Sequence, residues 1–214
     1  MEYIKNPYQI EEESFKIIQN IIDDEFGGFS FRDSFEEAII KRCIHTSADF
    51  DYLKNLRISE DFRQAILSAV ENKATIYTDT NMALSGINKS AMSKTGIQGR
   101  CYVSDPITAQ IAKERGITRS MASVLRMLEE EGEKILVIGN APTFLFQAIE
   151  EIQRGNSSVR AIIGVPVGFV GAAESKEILS KQEIPHVAAL GRKGGSNIAA
   201  AIVNAVLYHI AGRD

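Results

Sequence analysis

The sequence predicts an α/β protein built on a parallel sheet of five strands, and three observations predict it. Short apolar and β-branched runs recur through the second half at Ala74–Thr78, Arg100–Val103, Ile135–Ile138, Ala161–Val165 and His186–Leu190, each of strand length. Segments with helical apolar spacing alternate with them, the pattern that gives parallel strands joined by crossover helices. Three of the runs end in glycine-bearing loops, Gly139–Thr143, Gly164–Ala173 and Gly191–Ser196, as strand-to-helix junctions of an open sheet do.

The elements follow in order. From Ile10 to Phe26, the residues Ile10, Phe15, Ile17, Ile18, Ile21 and Ile22 recur at helical spacing, with Glu11 to Glu13 in the first turn, where carboxylates favour the helix dipole. Gly27-Gly28 separates this helix from a second over Phe31–Ile44, whose Phe35, Ile39 and Cys43 share one stripe. A third runs from Ser59, read as its cap, to Asn72. Between and after the strands, helices are predicted over Asn81–Ile87, Pro106–Arg115, Ser120–Glu131, Thr143–Arg154, Ser175–Lys181 and Asn197–Ala211, the last capped by Gly212. No internal repeat or low-complexity linker interrupts the chain, so residues 1–214 read as a single domain.

Composition limits the functions available. A net charge of −4 over 214 residues speaks against a general nucleic-acid binder, whose affinity rests on Lys and Arg neutralising phosphates. The amino terminus is acidic and lacks the basic start and apolar stretch of a secretory signal, and no segment approaches the roughly 20 apolar residues that cross a bilayer. Cys43 and Cys101 form neither a disulfide framework nor a metal-ligand spacing, and read as small packing residues in a reducing cytoplasm. With His45, His186 and His209 the only histidines, a dedicated protein metal site is not expected, and any metal would arrive with the ligand.

The chemistry concentrates at the glycine loops. Gly191-Arg192-Lys193-Gly194-Gly195-Ser196 gathers free backbone N–H groups, two cations and the positive end of a helix dipole, which makes it an anion receptor. In a parallel sheet the three loops share the carboxyl edge of the strands, and three such ends together could hold a polyanion. The P-loop pattern fails because Gly194-Gly195 is followed by Ser196 with no Lys in register. Gly164, Gly168 and Gly171 have the wrong spacing for a dinucleotide fingerprint, and there is no G-x-S-x-G nucleophile elbow. His45 lies at the end of the second helix, three residues after Arg42 and on the same face. It is either a proton-transfer group, with the guanidinium lowering its pKa, or a histidine complementing the helix dipole. Asp79 either caps the helix after the first strand or faces the site. Ser120 reads as a helix cap, which leaves Arg119 to reach an anion or to lie in solvent.

Four segments together resemble the precorrin-8X methylmutase (cobalt-precorrin-8 methylmutase) family of cobalamin biosynthesis: Arg42-Cys43-Ile44-His45-Thr46, Gly139-Asn140-Ala141-Pro142-Thr143, the block from Gly164-Val165-Pro166-Val167-Gly168-Phe169 to Lys176, and Gly191–Ser196. The resemblance runs from about Tyr8 to the last helix. It implies a flavodoxin-like three-layer sandwich with extra N-terminal helices, a homodimer, and an isomerase that moves a methyl group from C-11 to C-12 of a contracted macrocycle without an external methyl donor or a cofactor. It also implies a tetrapyrrole substrate with several acetate and propionate arms, for which the loops would form a carboxylate cradle. By similarity His45 falls on the family's proton donor and acceptor, and Arg42 and Ser14 fall on substrate-contacting positions. Arg119, Ser120, Asn140, Lys193, Gly194, Gly195 and Ser196 are the further substrate-binding candidates, and Lys193 leans toward a substrate that already carries cobalt. The competing readings are a corrinoid carrier without chemistry and a phosphate-binding α/β transferase.

Overall fold

The computed structural model describes residues 4–27 and 29–212; the starts of the predicted acidic terminus and Gly28 of the predicted break lie outside them. Its sheet has six strands, one more than the sequence predicts: β1 (Leu56–Ile58), β2 (Thr75–Thr78), β3 (Gln98–Arg100), β4 (Lys134–Ile138), β5 (Val159–Gly164) and β6 (His186–Ala189), in the order β1-β6-β5-β4-β2-β3. The five strands β3-β2-β4-β5-β6 are parallel. Taken alone they have the flavodoxin-like order, in which the chain reverses direction across the sheet between β2 and β4. The sixth, β1, is antiparallel to β6, with Leu56 opposite Ala189 and Ile58 opposite Val187.

Helices cover both faces. One layer consists of α1 (Pro7–Glu25), α2 (Ser34–Ser47), α4 (Phe62–Glu71), α5 (Asn81–Gly86), α6 (Lys89–Thr95) and α11 (Ser196–Ala211), and the short α3 (Tyr52–Asn55) leads from it into β1. The other layer consists of α7 (Pro106–Arg115), α8 (Arg119–Leu128), α9 (Pro142–Gln153) and α10 (Ala172–Leu179). The parallel strands are buried on both faces, as such a sheet requires: Ile135 and Val137 point into the first layer, Leu136 and Ile138 into the second. Among the described residues no helix is long and apolar enough to cross a membrane.

The local chemistry explains where elements begin. Asn6 and Pro7 start α1 three residues before the predicted boundary, with Asn6 Oδ1 accepting from the Tyr8 and Gln9 N–H groups, so Glu11 to Glu13 fall beyond the first turn. Asp33 caps α2 in the same way. Thr118, not Ser120, caps α8, accepting from Met121 N–H at 3.1 Å. Ser59 caps no helix; its hydroxyl accepts from His186 N–H and donates to Asp61. β3 ends at Arg100, where the sequence places its start. Gly116 and Gly212 close α7 and α11 with positive φ, Gly212 as predicted.

The loops after β4, β5 and β6 interlock by backbone contact. Gly195 N–H donates to the Val165 carbonyl, Gly168 N–H to the Arg192 carbonyl and Val167 N–H to the Gly139 carbonyl. A Cβ on Gly139 would stand 2.5 Å from Ser196 Cα. Gly139→Ala therefore forces the first turn of α11 off the end of β4. It is expected to lower the unfolding free energy by about 1–3 kcal/mol, read from the urea midpoint.

Candidate functional site

The three glycine loops share one rim, at the carboxyl edge of the sheet, as the sequence predicts. α9, α10 and α11 all start there without a side-chain cap. The amides after β4 are nevertheless already used. Asp79, at the end of β2, accepts from Gly139 N–H at 3.0 Å through one oxygen, and from Asn140 and Ala141 N–H at 2.7 and 2.6 Å through the other. Asp79 is 1% exposed, and it neither caps α5, which Thr80 does, nor faces a ligand. Burial pushes its carboxyl up and the three amides hold it down. The anion receptor expected at Gly139–Thr143 is thus satisfied from within, and the other receptor loop, Gly191–Ser196, follows β6 on the far side of the rim.

That side meets the N-terminal helices. Because β1 runs antiparallel beside β6, the chain just before it lies at the rim, and Leu190 N–H donates to the Asn55 carbonyl at 2.8 Å. Between α2 and α3, Ala48 takes a left-handed conformation that ends α2, and Asp49 Oδ1 closes a turn by accepting Asp51 N–H. Lys193 reaches this turn from the opposite loop, with its Nζ 2.6 Å from Asp49 Oδ2 and 2.5 Å from Asp51 Oδ2. The hydrogen bonds from Lys193 to the two carboxylates raise the pKa of its ammonium. The expected free cation of the receptor loop is therefore paired within the chain.

His45 stands in the last turn of α2, four residues before Asp49. Its ring stacks on Phe15 of α1, with centroids 5.4 Å apart and planes 15° off parallel, while its other face is open to solvent. Arg42, one turn earlier, lies against the same Phe15 ring at 4.7 Å and against Tyr208 of α11 at 5.4 Å, and its guanidinium meets Glu11 Oε1 at 2.7 Å. The buried Arg42 Nε has no hydrogen-bond acceptor among the described residues. Phe15 thus sets the orientation of both groups. Desolvation first, and the neighbouring Arg42 cation second, lower the His45 pKa.

The remaining candidates divide by place. Ser14 is next to Phe15 and spends its hydroxyl proton on the Ile10 carbonyl at 2.8 Å. Gly194 and Gly195 have φ of +156° and +136°, and a Cβ on Gly194 would stand 2.1 Å from the Val165 carbonyl oxygen, so both positions require glycine. Ser196 opens α11 and shares a hydrogen bond with Thr80 at 2.8 Å. Across the rim, Thr118 donates to Thr143 at 3.2 Å and joins the starts of α8 and α9. This places the exposed Arg119, the half-buried Ser120 and the exposed Asn140 at that end, where the Arg119 side chain makes no hydrogen bond or ion pair among the described residues. No group of three or more His, Cys, Asp or Glu that could hold a metal occurs among the described residues. A groove of about 480 Å³ between α1 and α2 is lined by Glu11, Glu12, Phe15, Lys16 and Lys41; its mixed charge suits a polycarboxylate less well than the rim does.

Sequence reasoning missed Phe15, which it places simply on the apolar stripe of α1, and Lys176. Lys176 is fully buried on α10 and donates to the Lys193 carbonyl at 2.7 Å, bracing the receptor loop from below. Burial pushes its pKa down to about 8. Between about pH 8 and the unfolded value, the unfolded chain holds more protons than the folded one, so folding stability contributed at this residue rises with pH through that window. The stability difference between the wild type and Lys176→Met is expected to shift in favour of the wild type by on the order of 2 kcal/mol across it, measured by urea unfolding at stepped pH.

The chain is similar to known proteins over nearly its whole length. A family model described as precorrin-8X methylmutase matches residues 9–209. The cobalt-precorrin-8 methylmutase of Salmonella typhimurium is 53% identical over 211 residues, which cover 98% of this chain and 99% of that one. The precorrin-8X methylmutase of a Sinorhizobium species is 35% identical over 208 residues, 96% of each. The crystal structure of precorrin-8X methyl mutase from Thermus thermophilus superposes with a TM-score of 0.81 at 32% identity, covering 92% of this chain and 95% of that one.

Proposed function

Because the chain belongs to the precorrin-8X methylmutase family, a family of isomerases in cobalamin biosynthesis, we propose that it moves the methyl group from C-11 to C-12 of precorrin-8X or cobalt-precorrin-8, giving hydrogenobyrinate or cobyrinate, with His45 as the proton donor and acceptor. The observation that carries this reading is the Phe15, Arg42 and His45 cluster, joined through the Ala48–Asp51 turn to the Lys193 loop. It sets one imidazole near two cations, Arg42 and Lys193, each paired with carboxylates of the chain.

In such a shift no group leaves, so the protein acts by holding one geometry and by changing electron demand in the ring. The carboxylate arms lie against the rim, where the exposed Arg119, Asn140 and Lys193 are presented, and Arg42 takes an arm beside Glu11. His45, held in orientation by Phe15, lends a proton or a hydrogen bond to the macrocycle at the migrating methyl and recovers it afterwards. Cobalt, when present, is part of the substrate. The relatives described as cobalt-precorrin-8 methylmutases favour the cobalt-containing form. The homodimer implied by the resemblance is part of the same reading, and light scattering is expected to return twice the chain mass.

Incubation with precorrin-8 and cobalt-precorrin-8 separately is expected to change the absorbance spectrum of at least one to that of its isomer, which a carrier would leave unaltered. His45→Ala is expected to fold and bind the corrinoid while kcat falls by about 10²- to 10⁴-fold. Undiminished turnover in that variant removes His45 from the chemistry.

A further inference from the structure

Lys193 has two acidic partners, and the chain separation between them is large: Asp51 is 142 residues away in sequence. The two carboxylates do different work. Asp49 uses Oδ1 to close its own turn and leaves Oδ2 for Lys193. The Asp51 side chain is 63% exposed and bonds Lys193 through Oδ2. The pairing is accessible to water, since the Lys193 side chain is itself 47% exposed, and exposed pairs of this kind contribute little to stability. They can therefore open at little cost. The Arg42–Glu11 pair differs, since each of its side chains is only 16% exposed and it opens less readily.

We propose that Asp49 and Asp51 are exchangeable counter-ions, which occupy Lys193 in the free enzyme and release it to a carboxylate arm of the corrinoid, and so set how tightly substrate and product are held. The proposal rests on the reading that the corrinoid binds at this rim. The physical logic is one of differences. A carboxylate that replaces another carboxylate on the same ammonium gains only the surplus of the new pair over the old, so each arm binds weakly for its charge. Substrate and product carry the same arms, and a contact made equally to both holds the product without accelerating the reaction. Internal carboxylates reduce that uniform contribution and leave the geometry of the loop intact. Because Asn at position 49 retains the oxygen that accepts Asp51 N–H, the charge can be removed without removing the turn.

The test is a titration with hydrogenobyrinate, followed by visible absorbance at about 20 mM and about 500 mM salt, where screening differs severalfold. The variants are Asp51→Asn, Asp49→Asn/Asp51→Asn, Lys193→Ala and the triple combination. Asp51→Asn is expected to tighten binding about threefold at low salt and the double variant about tenfold, with the gain shrinking at high salt. In the Lys193→Ala background the same substitutions are expected to gain less than about twofold, because no ammonium is left to be released. An equal gain in both backgrounds, or no gain at all, overturns the exchange while leaving the rim reading in place, provided Lys193→Ala alone weakens binding. If Lys193→Ala alone leaves affinity unchanged, the rim reading fails at this residue and the exchange fails with it. Thermal melts of Asp51→Asn, whose carboxylate holds nothing but Lys193 among the described contacts, check that the fold is preserved.

Discussion

The contact on which the rest depends is the backbone-to-backbone meeting of the loops after β4, β5 and β6. Gly139 lies against Ser196, and Gly194 lies against the Val165 carbonyl, at separations that leave no room for a Cβ. The loop after β6 is thereby carried across to Thr80 just past the end of β2, which Ser196 meets at 2.8 Å, over the crevice between β2 and β4 that a doubly wound sheet usually opens to ligands. Asp79 completes the closure from the end of β2 by taking the amides of Gly139, Asn140 and Ala141. A phosphate would have to displace a buried carboxylate to use them. The fold therefore keeps the flavodoxin-like strand order and gives up its customary anion position. The same closure weakens the reading of the chain as a phosphate-binding transferase, on physical grounds independent of any missing motif.

The sheet was legible in the sequence where burial is continuous. β4 and β5 are short apolar runs bounded by glycine, and α7 has the predicted limits because Asp105-Pro106 starts it and Gly116 ends it. β1 was not legible. It is three residues long, with Leu56 buried and Arg57 exposed, too brief for any period to register, and it is held by pairing with β6, over a hundred residues later. That omission matters most for the site, because the antiparallel β1 is what brings the end of α2 to the rim. Sequence spacing placed Arg42 and His45 on one face, since i and i+3 on a helix are neighbours. It could not show that both rest on Phe15, that Lys193 is held by Asp49 and Asp51, or that Asp79 fills the β4 loop, because each is a contact between elements far apart in the chain. The glycines at 194 and 195 were visible as a loop, and the positive φ that they require appears only once the strands are in place.

Under the proposed function, the electrostatics of His45 would connect binding to chemistry. In the free protein its partial burial against Phe15 and the Arg42 cation both disfavour the imidazolium. The Arg42 charge is already met by Glu11; a substrate carboxylate docking beside that pair would add a second negative charge within a few ångströms of the imidazole, which favours its protonated form. The proton would then be taken up as the corrinoid binds, beside the ring that needs it, and the uncharged state would return when the product leaves. A pure carrier gains nothing from such coupling, since its affinity requires only the cations. An exposed imidazole, one aromatic support and a neighbouring guanidinium whose Nε has no acceptor among the described residues are what the proposed function would require of a group that changes charge when a polycarboxylate docks.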